Sequence, residues 1–137
     1  MITLTKDNTA TPDAYSLGDG SDPIVVGLLL DGTSIPATAI ASPATALYVW
    51  ANDDTGLIGS YSSITVEIIG SDTGITWDLS TDQSTWASSI ALSNMDVSVS
   101  HQAVQIYARA VAVNDGSVVT NNYVAAKVKI TATENPA

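Results

Sequence analysis

The sequence predicts an all-β protein, an antiparallel sandwich of two sheets. Segments in which apolar and polar residues alternate recur along the chain, most clearly at 63–69 and 102–113. Clusters of Gly, Asp, Asn and Pro separate these segments about every 8 to 12 residues, and no segment has apolar residues at helical spacing. A chain of 137 residues is long enough for one core, and it contains no cysteine, so no disulfide supports the fold.

The first residues predict a strand followed by loops. Residues 2–5 alternate, which indicates an edge strand, and the turn formers in 7–13 end it. Residues 15–23 include two glycines and two aspartates, and we expect a loop there. We therefore divide the single domain into an N-terminal strand, or arm, and loop at 1–20 and an immunoglobulin-like sandwich at 21–134.

The next segments predict two strands joined by an extended linker. Residues 24–30 are uninterruptedly apolar, which is typical of a strand buried on both faces. Residues 33–45 contain two prolines and predict a linker or a weak edge strand, because proline cannot donate a ladder hydrogen bond. Residues 46–50 predict a strand that ends at the turn cluster 52–56.

The central segment predicts two strands around a turn that carries tryptophan. In the first strand Ile64, Val66 and Ile68 should point inward, because side chains of a strand alternate between its faces. A turn at 70–74 leads to the second strand, which puts the following side chains on one face: Ile75, Trp77 and Leu79.

The remaining segments complete the sandwich. We expect a tight turn at 82–86, a short strand at 89–92 and a turn at 93–96. One face of the strand after His101 should carry these residues: Val104, Ile106, Ala108 and Ala110. The dipeptides of 114–116 predict a hairpin turn before a closing strand at 123–132. Seven to nine strands in this pattern predict an immunoglobulin-like sandwich without the usual cysteine pair.

The charge of the chain excludes several partners. It has 14 acidic and 4 basic residues, for a net charge of −10, which repels nucleic acid and anionic lipid. The longest apolar run, 23–30, is too short to span a membrane. No secretory signal is visible at residues 1–5, so we expect synthesis without export. Only 13% of residues are charged, and such a hydroxyl-rich surface favours close packing against neighbours.

Aspartate groups are the candidate metal ligands. Three sets could offer oxygens to calcium: Asp19 with Asp22, Asp53 with Asp54, and Asp78 with Asp82. None of them matches the twelve-residue calcium loop of helical calcium proteins. Turns require the same residue types, and we favour turn formation over a metal site.

No catalytic arrangement stands out. His101 is the only histidine, and because it is adjacent to Ser100 the two side chains should diverge on a strand, although Asp96 is nearby. Nothing selects one carboxylate pair, as a glycosidase would need, among the twelve aspartates and two glutamates. We therefore expect no enzyme activity, no catalytic residue and no cofactor.

Aromatic residues and strand edges suggest two kinds of binding. Trp50, Trp77 and Trp86 could form a platform for sugars, but the chain lacks Phe and needs them for its core. The threonine-rich first strand carries no protective charge, so strand addition between subunits is one hypothesis, and lateral contact between complete folds is the other.

Four segments resemble a known family. They are 61–69, the Trp-Asp-Leu-Ser-Thr-Asp-Gln-Ser-Thr-Trp segment at 77–86, Ile-Ala-Leu at 90–92, and the segment 106–116 that contains Tyr-Ala-Arg-Ala-Val. In this order they resemble the immunoglobulin-like structural proteins encoded in the virion modules of tailed phages. The resemblance covers about two thirds of the chain and leaves the first 45 residues unmatched.

The resemblance implies a virion protein made in the host cytoplasm. It implies a capsid decoration, or cement, protein that binds the outer head lattice, or an accessory tail protein. The partner would be the major capsid protein or like subunits, with the chain itself a homo-oligomer. The alternatives are a subunit of an extracellular filament or surface layer assembled by strand addition, and a carbohydrate-binding accessory module.

Overall fold

The computed structural model describes residues 2–5, 14–16, 19–23, 39–41, 44–53, 55–97, 102–113 and 125–137. Residues 14–16, 19–23, 39–40, 102 and 113 are described in their backbone alone. Within these ranges the chain forms eleven strands and no helix. The strands are β1 Ile2–Thr5, β2 Ala14–Ser16, β3 Asp19–Pro23, β4 Ala39–Ala41, β5 Thr45–Ala51, β6 Ile58–Ile69, β7 Ile75–Ser80, β8 Ser89–Leu92, β9 Met95–Asp96, β10 Gln102–Val113 and β11 Lys127–Pro136.

The first sheet is built around β10. Its order is β2-β1-β5-β10-β4, and β7 pairs with β10 as well. On one side of β10, Ile106 lies opposite Leu47 of β5, and on the other side Ala110 lies opposite Trp77 of β7. All of these pairs are antiparallel.

The second sheet is built around the long pair β6 and β11. Its order is β3-β11-β6-β8, and β9 pairs with β6 beyond the end of β8. Val66 of β6 lies opposite Ile130 of β11, and Glu67 lies opposite Lys129. Because residues of a strand alternate between faces, this register places Val66 toward the core and Glu67 outward.

The two sheets pack as an antiparallel sandwich, as predicted. The order β1-β5-β10-β7 follows the A-B-E-D order of an immunoglobulin domain, and β6 beside β11 corresponds to strand C beside strand F. In this fold β3 occupies the place beside β11 where strand G normally lies. The strand number exceeds the predicted seven to nine because several short strands join the ladders.

The core consists of the inward residues of both sheets, and the predicted alternation is confirmed. The inner residues of β6, β7 and β10 are buried: Ile64, Val66, Ile75, Trp77, Leu79, Ile106, Ala108 and Ala110. Leu4, Val49 and Val128 are fully buried beside them. Removing one such aliphatic side chain from water contributes about 1.5–3 kcal/mol.

Three predictions for short segments are wrong. In the predicted loop 15–23 the described residues are strands, because β2 pairs with β1 and β3 pairs with β11, and these ladders override the turn propensity of the residues. The predicted turn at 93–96 contains β9, which pairs with β6 and buries Met95 to 1% exposure. The first strand is not an edge strand, because β1 lies between β2 and β5.

Other predicted features lie outside the described residues. These are the apolar segment 24–30, the pair Ser100 and His101, and the hairpin turn at 114–116. The linker prediction for 33–45 is confirmed where it can be compared, since β4 is a three-residue strand that pairs with β10 alone.

A β-bulge in β6 changes which of its residues face the core. Ser63 has a φ of 51°, and two residues of β6, Ser63 and Ile64, lie across from the single residue Ala132 of β11. The extra residue lets Tyr61 and Ile64 both face inward although they are three positions apart. Their exposures are 2% and 1%.

Candidate functional site

Asp53 forms a tight turn between β5 and β6. Its Oδ1 accepts hydrogen bonds from the Thr55 hydroxyl (2.6 Å) and the Thr55 backbone N–H (3.0 Å), and its Oδ2 accepts one from the Ile58 N–H (2.7 Å). These bonds, led by that of the Thr55 hydroxyl, lower the pKa of Asp53 from 3.8 to about 2. The carboxylate therefore remains ionised at neutral pH and stabilises the turn through these hydrogen bonds.

Asp82 forms the corresponding turn after β7. Its Oδ1 accepts hydrogen bonds from the N–H groups of Thr85 and Ser84, each at 2.8 Å, and from the Ser80 hydroxyl at 3.0 Å. The bond from Thr85 is the largest cause of its lowered pKa. The predicted tight turn at 82–86 is thus confirmed.

Asp78 belongs to a cross-strand pair on the outer face of the first sheet. The Arg109 guanidinium donates from Nε and Nη2 to Asp78 Oδ2, both at 3.4 Å. The same guanidinium lies 4.1 Å from the centre of the Trp86 ring. Both contacts position Arg109, and the ring contact adds a cation–π interaction.

The calcium hypothesis stays a prediction. Asp54 and the side chains of Asp19 and Asp22 lie outside the described residues. In the described part of the chain, no three His, Asp or Glu side chains are grouped so that they could hold a metal ion.

The three tryptophans occupy different environments. Trp77 faces the core, whereas Trp50 alternates with the core residues of β5 and faces the opposite side of the sheet, where it is 5% exposed. Trp86 is half-buried beneath Arg109. As a set they do not form a common platform.

Asp72 links distant parts of the chain, and sequence reasoning missed it. Its carboxylate accepts hydrogen bonds from Trp77 Nε1 (3.0 Å) and from the N–H groups of Ala125 (3.1 Å) and Ala126 (3.2 Å). Gly70, at φ 74°, begins the same turn, and a Cβ there would clash with the Ala125 carbonyl. The turn is therefore tied closely to the segment that leads into β11.

A cleft of about 530 Å³ opens at one end of the sandwich, and we call it the acidic cleft. Residues from β1, from the connection between β5 and β6, and from β6 and β11 line it: Ile2, Asp53, Thr55, Leu57, Ile58, Tyr61, Ile130, Ala132 and Glu134. Isoleucine and alanine side chains form much of its wall. Leu57, which is 72% exposed, lies on its lining.

The hydroxyl of Tyr61 is the unusual group of the acidic cleft. It is buried and has no hydrogen-bond partner among the described residues. Burial raises the pKa of Tyr61 above 10.0, and the charges of Glu134 and Asp53 raise it further. At neutral pH the group is an O–H that can donate one hydrogen bond and accept another.

The charge in the acidic cleft is negative. Asp53 and exposed Glu134 both line it, and none of the described lining residues is basic. Apolar walls, two carboxylates and a hydroxyl without a partner among the described residues provide the chemistry of binding a cation. The position of Glu134 could have been predicted from the sequence, because it continues the inward alternation of β11. The inward position of Tyr61 could not, because it depends on the bulge in β6.

No known protein family and no curated protein sequence matches this chain. No helix in the described ranges could cross a membrane by length and apolar character.

Proposed function

We propose that this chain is a non-enzymatic structural protein that binds a repeating protein lattice. The most specific form of the proposal is a decoration protein on the outer head lattice of a tailed phage, which rests on the family resemblance of the sequence. The observation that supports a structural role is how the aspartates are used. Four of them hold the chain's own turns and strands together: Asp53, Asp72, Asp78 and Asp82.

The sheet edges favour lateral contact over strand addition. Among the described edge strands β2 and β4 have three residues each, β8 has four and β3 five, while β7, with six, is the longest; short edges offer few free backbone groups to another chain. The first strand, whose edge suggested strand addition, is paired with β2 and β5. These features support a complete fold that docks through its faces.

The proposed mechanism is passive. A stable protein contact buries about 1,600 Å² in total, and each copy that bridges two lattice subunits adds such contacts. Because the protein binds the assembled lattice and not separated subunits, it shifts the equilibrium toward the assembled state. No side chain needs to perform a chemical step.

The test is binding to empty shells. We would assemble shells from the major shell protein encoded nearest to this gene and measure cosedimentation over a range of protein concentrations. We expect saturation at a fixed number of copies per capsomer and a higher temperature of shell disruption. Heat-unfolded protein is the control. Non-saturating binding, or an absence of shell genes from the genomic neighbourhood, would contradict the proposal.

A further inference from the structure

We infer that the acidic cleft binds an ammonium or guanidinium group on an aliphatic stem, presented as a lysine or arginine side chain by a partner protein. This inference concerns the cleft alone and holds whether or not the partner is a shell.

The first step is the unpaired hydroxyl. A buried polar group without a hydrogen bond costs about 1–3 kcal/mol, and native proteins keep few of them. Tyr61 is 2% exposed, its hydroxyl lacks a described partner, and it lines the cleft. A ligand that forms a hydrogen bond with this group reduces that cost, so the cleft offers the hydroxyl to a ligand, and the charge of the cleft decides which kind of ligand.

The second step is the charge of the ligand. Asp53 is held in its turn as a carboxylate and contributes one negative charge to the lining of the cleft. Glu134 adds a second negative charge at the exposed side of the cleft. A cationic donor is attracted by both carboxylates and can donate to the hydroxyl oxygen, whereas an anion is repelled.

The third step is the shape of the ligand. Ile2, Ile58 and Ile130 provide apolar walls on the way to the polar groups, which suits the methylene stem of a long basic side chain. The volume of about 530 Å³ lies within the range of small-ligand sites, about 300–1,000 Å³. Exposed Leu57 offers apolar contact to the backbone that carries the side chain.

A second copy of this chain is a poor source of the cation. Each copy carries a net charge of −10 and has only four basic residues, so two copies repel each other. A partner with a basic, lysine- or arginine-bearing surface is complementary to the cleft.

The experiment is an NMR titration with short capped peptides. Peptides that contain one lysine, one arginine or one norleucine have similar stems and differ in charge, and the amides of Thr55 and Ile58 report binding. We expect saturable shifts for lysine and arginine, with a dissociation constant on the order of 1 mM, and at least roughly tenfold weaker binding of norleucine. Equal binding of norleucine would overturn the inference.

Variants identify the site. Tyr61→Phe should weaken lysine binding by roughly tenfold and raise the melting temperature, because it removes both the acceptor and the unpaired hydroxyl. Glu134→Gln should weaken binding by roughly threefold. The matched control is Glu67→Gln, which changes the only other glutamate, on the outer face opposite Lys129, and should leave binding unchanged. Wild-type affinity in both cleft variants would overturn the inference.

A titration with a free alkylamine tests whether the cation must belong to a protein. If butylamine or a short diamine binds more than about tenfold tighter than the capped lysine peptide, the ligand is a free amine and the protein-partner part of the inference is wrong. Because the peptides need no shell, failure of this titration leaves the shell-binding test unaffected.

Discussion

Asp72 offers a direct test of how the fold is held together. We expect Asp72→Ala to lower the free energy of unfolding by about 3 kcal/mol. The residue accepts three hydrogen bonds, from the Trp77 indole and from the N–H groups of Ala125 and Ala126. A net contribution of about 1 kcal/mol for each bond gives this value. It is a large fraction of the 5–15 kcal/mol that stabilises a typical domain.

The assay is urea denaturation followed by far-UV circular dichroism, which does not depend on tryptophan emission. Asp72→Asn should cost about 2 kcal/mol, because an amide has one acceptor oxygen where the carboxylate has two. Thr73→Ala, at an exposed position of the same turn, is the control and should stay within about 0.5 kcal/mol of wild type.

A double-mutant cycle with Trp77→Phe isolates the indole bond. The single change also shrinks a buried ring, and the cycle cancels that effect. We expect a coupling free energy of about 1 kcal/mol between Asp72 and Trp77. A cost below about 1 kcal/mol for Asp72→Ala, or additivity within about 0.3 kcal/mol, would refute the reasoning.

Three further predictions follow from the described contacts. Met95→Ala should lower the free energy of unfolding by about 2–5 kcal/mol in urea denaturation, whereas a surface turn would tolerate the change. By the same assay Gly70→Ala should lower the free energy of unfolding by about 3 kcal/mol and Gly56→Ala by about 1 kcal/mol. Both glycines have a positive φ, but of the two only Gly70 has neighbouring backbone where a Cβ would lie. Equal losses would argue against the clash. The folded-state pKa of Asp53 is about 2 and that of Asp82 also lies below the ordinary 3.8, so each residue adds stability above about pH 4 that is lost as the pH falls through its folded-state pKa. The free energy of unfolding of the variant Asp53→Asn with Asp82→Asn, measured by urea denaturation at each pH, should therefore fall less steeply below about pH 4 than that of wild type. An unchanged slope would contradict the assignment.

The sequence predicts the central strands well because their signal is local. Alternation alone identifies the buried residues of β6 and β7, among them Val66 and Leu79. The turn at 82–86 is equally local, since Asp82 bonds groups within three residues of itself.

The short strands could not be predicted in the same way. Residues 19–23 contain Asp, Gly, Ser and Pro and have no strand propensity, yet they pair with β11. Met95 is a single apolar residue among polar ones, and its burial depends on the position of β6. In both cases a distant partner strand overrides the local preference.

The acidic cleft as a whole could not be predicted from the sequence, for a related reason, although the alternation of β11 places Glu134 in phase with its inward residues. Its residues come from positions 2, 53–61 and 130–134, and only the assembled sandwich brings them together. The bulge at Ser63 also turns Tyr61 toward the core, whereas simple alternation with Ile64 would place it on the outer face. No residue type in that segment predicts the bulge.

The position of β5 has a consequence for how the protein folds. Ala51 lies opposite Ile2 on one side and opposite Gln102 on the other. Both strand partners of β5 are therefore about fifty residues away along the sequence, one before it and one after it. Bringing such distant segments together costs chain entropy before any contact compensates for it, and proteins with this topology fold in milliseconds to seconds. On the ribosome, the ladder between β5 and β10 forms only after most of the chain has been synthesised.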